Sequence, residues 1–289
     1  MNLLVVGAQG YIGATIFRHA QQIASTRGTS TSGLTPMLCL NLGKPEKYDY
    51  DIIHPGDVVF LTAAISSPDI CSHEYDRAWA VNVTGTSIFI ENVIIKRGRV
   101  IFFSSDTVYG EKDEPFDESA ICNPAGEYAE MKHAVEKRFL GHPLFKSIRL
   151  SYVFSCEDKF TRYLSTCAER NEVAEIFHPF YRSVIYRDDV VHGVIMLSQS
   201  WDEFPQPVIN FGGPVVLART DFAQILSARA LPKLRFRITE PESQFFKSRP
   251  RIIRMMSPVL PLLLGRPAHS LDESTTIEFN LLREQKEND

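Results

Sequence analysis

Apolar runs recur along the chain at intervals that suit buried strands, and spans of helical period separate them. The first run is LLVVG (Leu3 to Gly7), followed by a glycine-containing turn and a helix beginning near Tyr11. Ser25 to Thr35 is rich in Ser, Thr and Gly and reads as a loop, so the next strand is expected at MLCLN, Met37 to Asn41. A third strand, DVVFLTAA (Asp57 to Ala64), ends in small residues, and RVIFFSS ends in the hydroxyls of Ser104 and Ser105. A polar, proline-containing span leads to a helix containing YAEMK, and then to a strand at SIRLSYVF, Ser147 to Phe154. Strands alternating with helices in this way predict an α/β fold with a parallel, doubly wound sheet. Past Ser155 short strands and helical pieces alternate with turns at Pro179, Pro205, Pro207, Pro214, Pro232 and Pro241, which predicts a smaller lobe.

A chain of 289 residues accommodates one large α/β domain with such a lobe. Its 44% hydrophobic and 23% charged content is ordinary for a globular protein, and a net charge of −4 without a basic run gives a nucleic-acid partner no support. The five cysteines are scattered and odd in number, and the chain enters its first strand without a basic or apolar leader, so a reducing, cytoplasmic setting is expected. Cys71 and His73 form the only close Cys/His pair in sequence, and no metal site is expected. The apolar stretch from Ile252 to Leu264 carries Arg254 and is broken by Pro258 and Pro261. It falls short of the roughly 20 residues a spanning helix needs, so core packing or a subunit contact is expected instead of a membrane.

The first turn reads GAQGYIG, and its residues Gly7, Gln9, Gly10, Tyr11, Ile12 and Gly13 lie between a strand and a helix. Glycines there allow a tight turn and close approach of backbone to a pyrophosphate, which the helix N-terminus favours. A dinucleotide cofactor is the expected occupant. An NAD-selective site offers Asp or Glu for the ribose hydroxyls at the end of the next strand, whereas this chain offers Asn41 and then Lys44, which favours NADP while leaving NAD possible. Lys44 also reads as an ordinary exposed loop charge. Thr62, Ala63 and Ala64 are small enough for a cofactor to lie across the strand ends, and Asn82, set among apolar neighbours, is a candidate buried hydrogen-bonding residue.

The candidate chemistry lies between Ile101 and Lys132. Tyr128 follows Ser105 by 23 positions, and Lys132 follows Tyr128 by four. Residues four apart share a helix face, so the lysine ammonium is expected beside the phenol. A nearby cation typically lowers a tyrosine pKa of about 10 by about 1 to 3 units, which suits general acid or base work. A serine at the end of the adjoining strand would hold the substrate oxygen. Alone, a Tyr and a Lys at this spacing are common on a solvated helix face.

Taken together, GAQGYIG, LTAAISS, AWAVNVTGT, FFSSDTVYG, YAEMK, RLSYVF, RSVIYRDDVV and NFGG occur in the order found in the extended short-chain dehydrogenase/reductase family, and the chain resembles that family over nearly its whole length. The resemblance implies a Rossmann-type sheet in residues 1–154, completed by parts of 183–215, with 155–289 mainly a C-terminal substrate-binding lobe. It implies Ser105, Tyr128 and Lys132 as catalytic residues, with Tyr128 and Lys132 also against the cofactor and Asn82 on the family's helix asparagine. Ser66, Asp106, Thr107 and Arg182 are the implied substrate contacts, Arg182 through the phosphates of a nucleotide-linked sugar. Asp189 falls on a structural acidic position. Family members pair through helices, so a homodimer through the helix carrying Tyr128 is expected.

Dehydratases of the family carry an Asp-Glu pair after the catalytic Ser/Thr, where this chain has Asp106 and Thr107. NFGGPVVLARTDFAQIL (Asn210 to Leu226) and GRPAHSLDES (Gly265 to Ser274) are similar to C-terminal motifs of dTDP-4-dehydrorhamnose reductase-like proteins. The leading expectation is therefore an NAD(P)H-dependent reductase of a nucleotide-linked 4-keto-6-deoxysugar. An NAD-dependent nucleotide-sugar epimerase is the nearest alternative. A non-catalytic NADP-binding regulatory protein, like the regulatory subunit of methionine adenosyltransferase, is the alternative from another class.

Overall fold

Val58 to Leu61 are apolar and buried on both faces, as a strand covered by helices on each side must be. The structure, a computed structural model, describes residues 1–288. The chain runs β1 (Leu3–Val6), α1 (Tyr11–Ile23), β2 (Thr26–Ser30), β3 (Leu38–Cys39), β4 (Val58–Leu61), α2 (Pro68–His73), α3 (Tyr75–Trp79), α4 (Thr86–Ile95) and β5 (Arg99–Ser105). It continues through α5 (Glu127–Phe139), β6 (Phe145–Leu150), β7 (Val153–Phe154), α6 (Lys159–Glu169), β8 (Val173–Phe177), β9 (Tyr181–Ser183), β10 (Ile185–Tyr186) and α7 (Arg187–Gln199). Then follow β11 (Val208–Phe211), β12 (Val216–Ala218), α8 (Arg219–Arg229), β13 (Arg235–Thr239), α9 (Leu260–Leu264) and α10 (Leu271–Asn288).

Seven strands form the main sheet in the order β11-β6-β5-β4-β1-β2-β3. The pairs β3 with β2, β2 with β1, β1 with β4 and β4 with β5 are parallel. The strand order reverses beside β1, since β2 lies on one flank and β4 on the other; in open parallel sheets such a switch point marks the ligand crevice.

Two sequence expectations are corrected here. Ser25 to Thr35 is not a loop throughout, because β2 occupies Thr26–Ser30 between β1 and β3. Packing overrides the Ser/Thr/Gly composition: a Cβ on Gly28 would come within 2.7 Å of both the Ala8 Cβ and the Met37 Sδ, so only glycine lets the strand lie this close. The MLCLN strand is thereby the third in the sheet, cut to Leu38–Cys39 at its outer edge. SIRLSYVF is likewise two strands, since the chain leaves the main sheet after Leu150 and β7 pairs with β10.

The chain forms two compact units, one of Met1–Gly110, Ile121–Arg149 and Val191–Ile209, the other of Glu111–Ala120, Leu150–Val190 and Asn210–Asp289. In the first, α5 is tied to β6 by an internal ion pair. Glu136 accepts from Ser147 Oγ at 2.7 Å and from Arg149 Nη2 at 2.8 Å, with Arg149 Nε at 3.1 and 3.3 Å from its two oxygens. Burial pushes the Glu136 carboxyl up, but the bonds from His133, Arg149 and Ser147 outweigh it and hold the group at about 2.

The helical run Tyr75–Ile95, 21 residues, is by length and composition apolar enough to cross a membrane, yet 44% of its apolar window is buried inside the protein. Its middle widens into π-helical turns over Ala80–Gly85. Gly85 marks the reason: a Cβ there would stand 1.6 Å from the Leu42 carbonyl oxygen.

The second unit is built on three two-stranded ladders, β10 with β7, β12 with β9 and β13 with β8, around a core that includes Phe154, Phe160, Leu164, Ile176, Phe222 and Leu226. Asp189, wholly buried, accepts from Arg266 Nη2 at 2.6 Å, from the His269 amide at 2.7 Å, and contacts His269 Nδ1 at 2.9 Å. This anchors GRPAHS, and the structural reading of Asp189 agrees with these bonds.

Replacing Glu136 by Gln strands the Arg149 cation in the interior and should cost about 3 to 5 kcal/mol, read as a fall in Tm on the order of 10 °C. Because the folded Glu136 carboxyl lies below its unfolded value, its stabilisation is present above the unfolded pKa of about 4.3 and is lost as pH falls towards the folded one. The wild type should therefore lose stability between about pH 4.5 and about pH 2 more steeply than the variant, as acid melts would show.

Candidate functional site

Every candidate catalytic residue comes from the end of β5 or the start of α5. Ser105 is the last residue of β5 and caps a single 3-10 turn, Asp106–Tyr109. Its Oγ accepts from the Thr107 amide at 3.2 Å and from Thr107 Oγ1 at 2.9 Å, and donates to Asp106 Oδ1 at 3.3 Å. Ser105 and Thr107 are half-buried, whereas Asp106 is buried. The Ser-Asp-Thr run therefore forms one small hydroxyl and carboxylate network at the sheet's carboxyl edge.

Tyr128 and Lys132 lie on one face of α5, as their spacing predicts. The Lys132 ammonium donates to the Phe103 carbonyl at 2.7 Å, lies 4.6 Å from the centre of the Phe102 ring and 5.8 Å from that of Tyr128, and is 3% exposed. A charge this deep is costly. Burial lowers the Lys132 pKa to about 8, with Glu136 and Cys71 pulling it back up.

The expected acidification of Tyr128 is corrected. Burial raises its pKa above the ordinary tyrosine value, and Cys71 and Asp106 push the same way. Lys132 is not among the groups that shift it; its ammonium donates to the Phe103 carbonyl and faces the Phe102 ring. The hydroxyl remains a protonated phenol at neutral pH, suited to giving a proton.

In the glycine-rich turn, Gly10 caps α1 without a side chain, and no acidic residue stands in the helix's first turn. A Cβ on Gly13 would lie 2.2 Å from the Gly7 carbonyl oxygen, so the helix can approach β1 only with glycine at this position. Thr62 Oγ1 donates to the Val6 carbonyl at 2.7 Å and clamps β4 to β1 just below the turn. Gln9, Gly10 and Tyr11 are exposed, Ile12 is half-buried and Gly13 buried. Ala63 and Ala64, which follow Thr62, are half-buried, and Ser66 is exposed on the loop beyond β4.

Asn82 lies inside the π-helical turns, buried, and both ends of its amide bind one residue: Oδ1 accepts from the Ile65 amide at 2.8 Å and Nδ2 donates to the Ile65 carbonyl at 3.0 Å. Its role in the structure is to fix the loop after β4. Asn41 and Lys44 follow the edge strand β3, where Asn41 Oδ1 accepts from the Gly43 amide at 2.8 Å. The strand beside β1 ends instead at Ser30, followed by Thr31 and Ser32.

Arg182 belongs to the second unit and is 7% exposed. Its guanidinium donates to the Tyr181 carbonyl at 2.6 Å, the Pro250 carbonyl at 2.8 Å and the Arg251 carbonyl at 3.4 Å, and lies 4.3 Å from the centre of the Phe180 ring.

Sequence reasoning missed several neighbours. Cys71 is wholly buried, its thiol donates to the Ile65 carbonyl at 3.1 Å, and it raises the Tyr128 pKa. The sequence marked Cys71 only as the neighbour of His73, and no spacing signal linked it to Tyr128. Cys122, His133 and Glu136 bring ligand-type atoms within 4.8 Å of one another, but the Glu136 carboxylate already serves Arg149 and Ser147, which fits an ion pair better than a cation site.

Residues 1–254 match the family described as RmlD substrate binding domain. The chain belongs to this family. A curated relative, the spore coat polysaccharide biosynthesis protein SpsK of Bacillus subtilis (strain 168), is 23% identical over 236 residues, covering 73% of this chain and 80% of that protein. The dTDP-4-dehydrorhamnose reductase, RfbD ortholog, of Clostridium acetobutylicum superposes with a TM-score of 0.80 at 20% identity, over 98% of this chain and 100% of that one. UDP-glucuronic acid 4-epimerase of Bacillus cereus, solved with UDP-glucuronic acid and NAD, superposes with a TM-score of 0.81 at 18% identity, over 99% and 100%. As a member of the RmlD substrate binding domain family, the chain thus shares its Rossmann-type fold with nucleotide-sugar reductases and epimerases. The family match ends at Arg254, ahead of GRPAHSLDES.

Gly13→Ala should drive the start of α1 off β1. The expected result is a lower Tm, followed by melting curves.

Proposed function

We propose that this protein is an NAD(P)H-dependent reductase of a nucleotide-linked keto sugar, with a 4-keto-6-deoxysugar as the favoured substrate. The observation that carries the reading is geometric: Tyr128 and Lys132 share one face of α5, and the bond from Lys132 to the Phe103 carbonyl ties that face to the strand that ends in Ser105, while burial holds the half-buried phenol above the ordinary tyrosine range. Reduction of a ketone needs a proton donor at the oxygen as hydride reaches the carbon. A phenol that stays protonated meets that need, whereas abstraction of a hydroxyl proton, the first step of epimerisation, calls for a phenolate.

When bound, the nicotinamide dinucleotide supplies the hydride. The helix start at Gly10 to Gly13 would bind its pyrophosphate, and the exposed edge at Gln9 and Tyr11 would border it. Ser105 holds the substrate oxygen through its hydroxyl, which Thr107 and Asp106 orient. Tyr128 gives the proton. Lys132 places positive charge beneath the site and stiffens the Phe103 carbonyl at the end of β5. Asn82 positions the loop carrying Ser66.

NADPH is the favoured reductant. The strand beside β1 ends at Ser30 and is followed by Thr31 and Ser32, with no carboxylate among them to hold the two ribose hydroxyls or to repel a 2′-phosphate. The epimerase reading keeps one supporting observation, the close superposition on UDP-glucuronic acid 4-epimerase.

Oxidation of NADPH and NADH followed at their absorbance band, with dTDP-, UDP- and GDP-linked keto sugars, separates the readings: a reductase consumes cofactor mole for mole with substrate, and an epimerase consumes none. Tyr128→Phe should lower turnover at least ~100-fold while leaving cofactor binding nearly intact; unchanged turnover would end the mechanism. The Lys132 charge is present below its pKa of about 8 and lost above it. The rate of reduction should therefore fall with a single-proton slope as pH rises past about 8, and a profile flat to about pH 10 would refute that role. Thr31→Asp should weaken NADPH roughly ten-fold relative to NADH, measured as the ratio of their KM values.

A further inference from the structure

Part of the stretch read from sequence as core packing or a subunit contact walls an open groove of about 390 Å³ in the second unit. That volume falls in the range of small-molecule sites, roughly 300 to 1,000 Å³. The walls are aliphatic, with Val216, Met255, Met256, Leu260 and several prolines, and among the described residues no aromatic ring or carboxylate lines them. A glycine keeps the floor open: a Cβ on Gly212 would stand 3.1 Å from both the Ser183 Cβ and the Met255 Cε and 3.3 Å from Ser257 Oγ, all three of them groove residues. Arg182 and Ser183 are neighbours in β9 and so point to opposite faces. The groove takes the Ser183 face, and none of Ser66, Asp106, Thr107 and Arg182 lines it.

Three features decide what such a groove can hold. Without an aromatic ring it offers a sugar or a base no face to stack on. Its two hydroxyls are already bonded inside the protein, since Ser183 Oγ donates to the Met255 carbonyl and accepts from the Met255 amide, each at 3.0 Å, and Ser257 Oγ accepts from the Gly212 amide at 2.8 Å. A polyol would leave its own hydroxyls unmet there. The third feature is Arg254, half-buried in the wall. Among the described residues its side chain makes one hydrogen bond, from Nη1 to the Asp113 carbonyl, and no ion pair, so its Nε and Nη2 edge is left to bind. The acids of the neighbouring 111–114 segment are exposed, and Glu111 is turned to the Arg251 amide. Two parallel N–H groups on one edge match the two oxygens of a carboxylate. We propose that this groove binds a medium-chain fatty carboxylate, with the alkyl chain along the Met and Pro walls and the head group on Arg254. Flexible thioethers suit a chain that has no fixed shape. No residue of the groove takes part in the proposed reduction, so failure of either reading leaves the other untouched.

The test is methyl NMR of the full chain, ¹³C-labelled at its six methionines, titrated with octanoate, decanoate and dodecanoate below their micelle concentrations. The Met255 and Met256 signals should move to saturation while those of Met37, Met131 and Met196 stay in place. Affinity measured by calorimetry should rise roughly three-fold per added methylene until the groove is filled. Arg254→Gln keeps a donor for the Asp113 carbonyl and removes the charge; it should weaken decanoate about ten-fold, the scale of one charge-assisted hydrogen bond, and leave decanol binding as in wild type. Ala268→Phe adds bulk to the groove wall and should abolish decanoate binding while the protein still melts cooperatively. Decanoate that leaves Met255 and Met256 unmoved, or that moves all six methyls alike, overturns the inference, as does wild-type affinity in Arg254→Gln. Tighter binding of decyl phosphate than of decanoate overturns the carboxylate assignment. Methyl shifts that follow protein concentration and ignore decanoate would mark the groove as a contact between copies of the chain and overturn it as a ligand site.

Discussion

A buried ammonium organises the first unit. Lys132, 3% exposed, satisfies its charge on the carbonyl of Phe103 and the ring of Phe102, both in β5. Leaving that ammonium unpaired would cost several kcal/mol, so α5 has little freedom to slide or turn on the strand. Tyr128, one turn earlier, inherits its position from this contact, and Ser105 inherits its own from the end of the same strand. The ion pair of Glu136 with Arg149 repeats the arrangement one turn later, on β6. Two buried charges, each met by a neighbouring strand, thus set the register of the helix that bears the candidate proton donor.

The elements closest to this chemistry were legible in the sequence because local pattern and tertiary demand agree there. RVIFFSS is a strand by composition and by burial, and the four-residue interval from Tyr128 to Lys132 is helical however the rest folds. The acidity of Tyr128 was not legible, since it depends on what covers the phenol and on which charges the fold brings beside it. Cys71, which adds to the effect, reaches Tyr128 only through the fold.

Misreadings elsewhere have physical causes of the same kind. β2 has a loop's composition, and what makes it a strand is the tight fit of Gly28 against Ala8 and Met37. With Met37–Asn41 taken as the second strand, Asn41 and Lys44 were read at the end of the strand beside β1, a place that Ser30 occupies. SIRLSYVF reads as one apolar run although its two halves pair with different partners.

The π-helical turns at Ala80–Gly85 separate two helical phases. Each inserted residue turns the following side chains by about 100° around the axis. The widened turns can therefore offer Asn82 to Ile65, while the part after them keeps Phe89, Ile90 and Val93 in the core beneath the sheet. A straight helix of the same sequence could meet only one of these demands. The irregular stretch works as a clutch between two gears, letting the core-facing half stay fixed while the half beside the β4 loop is clocked to its own partner.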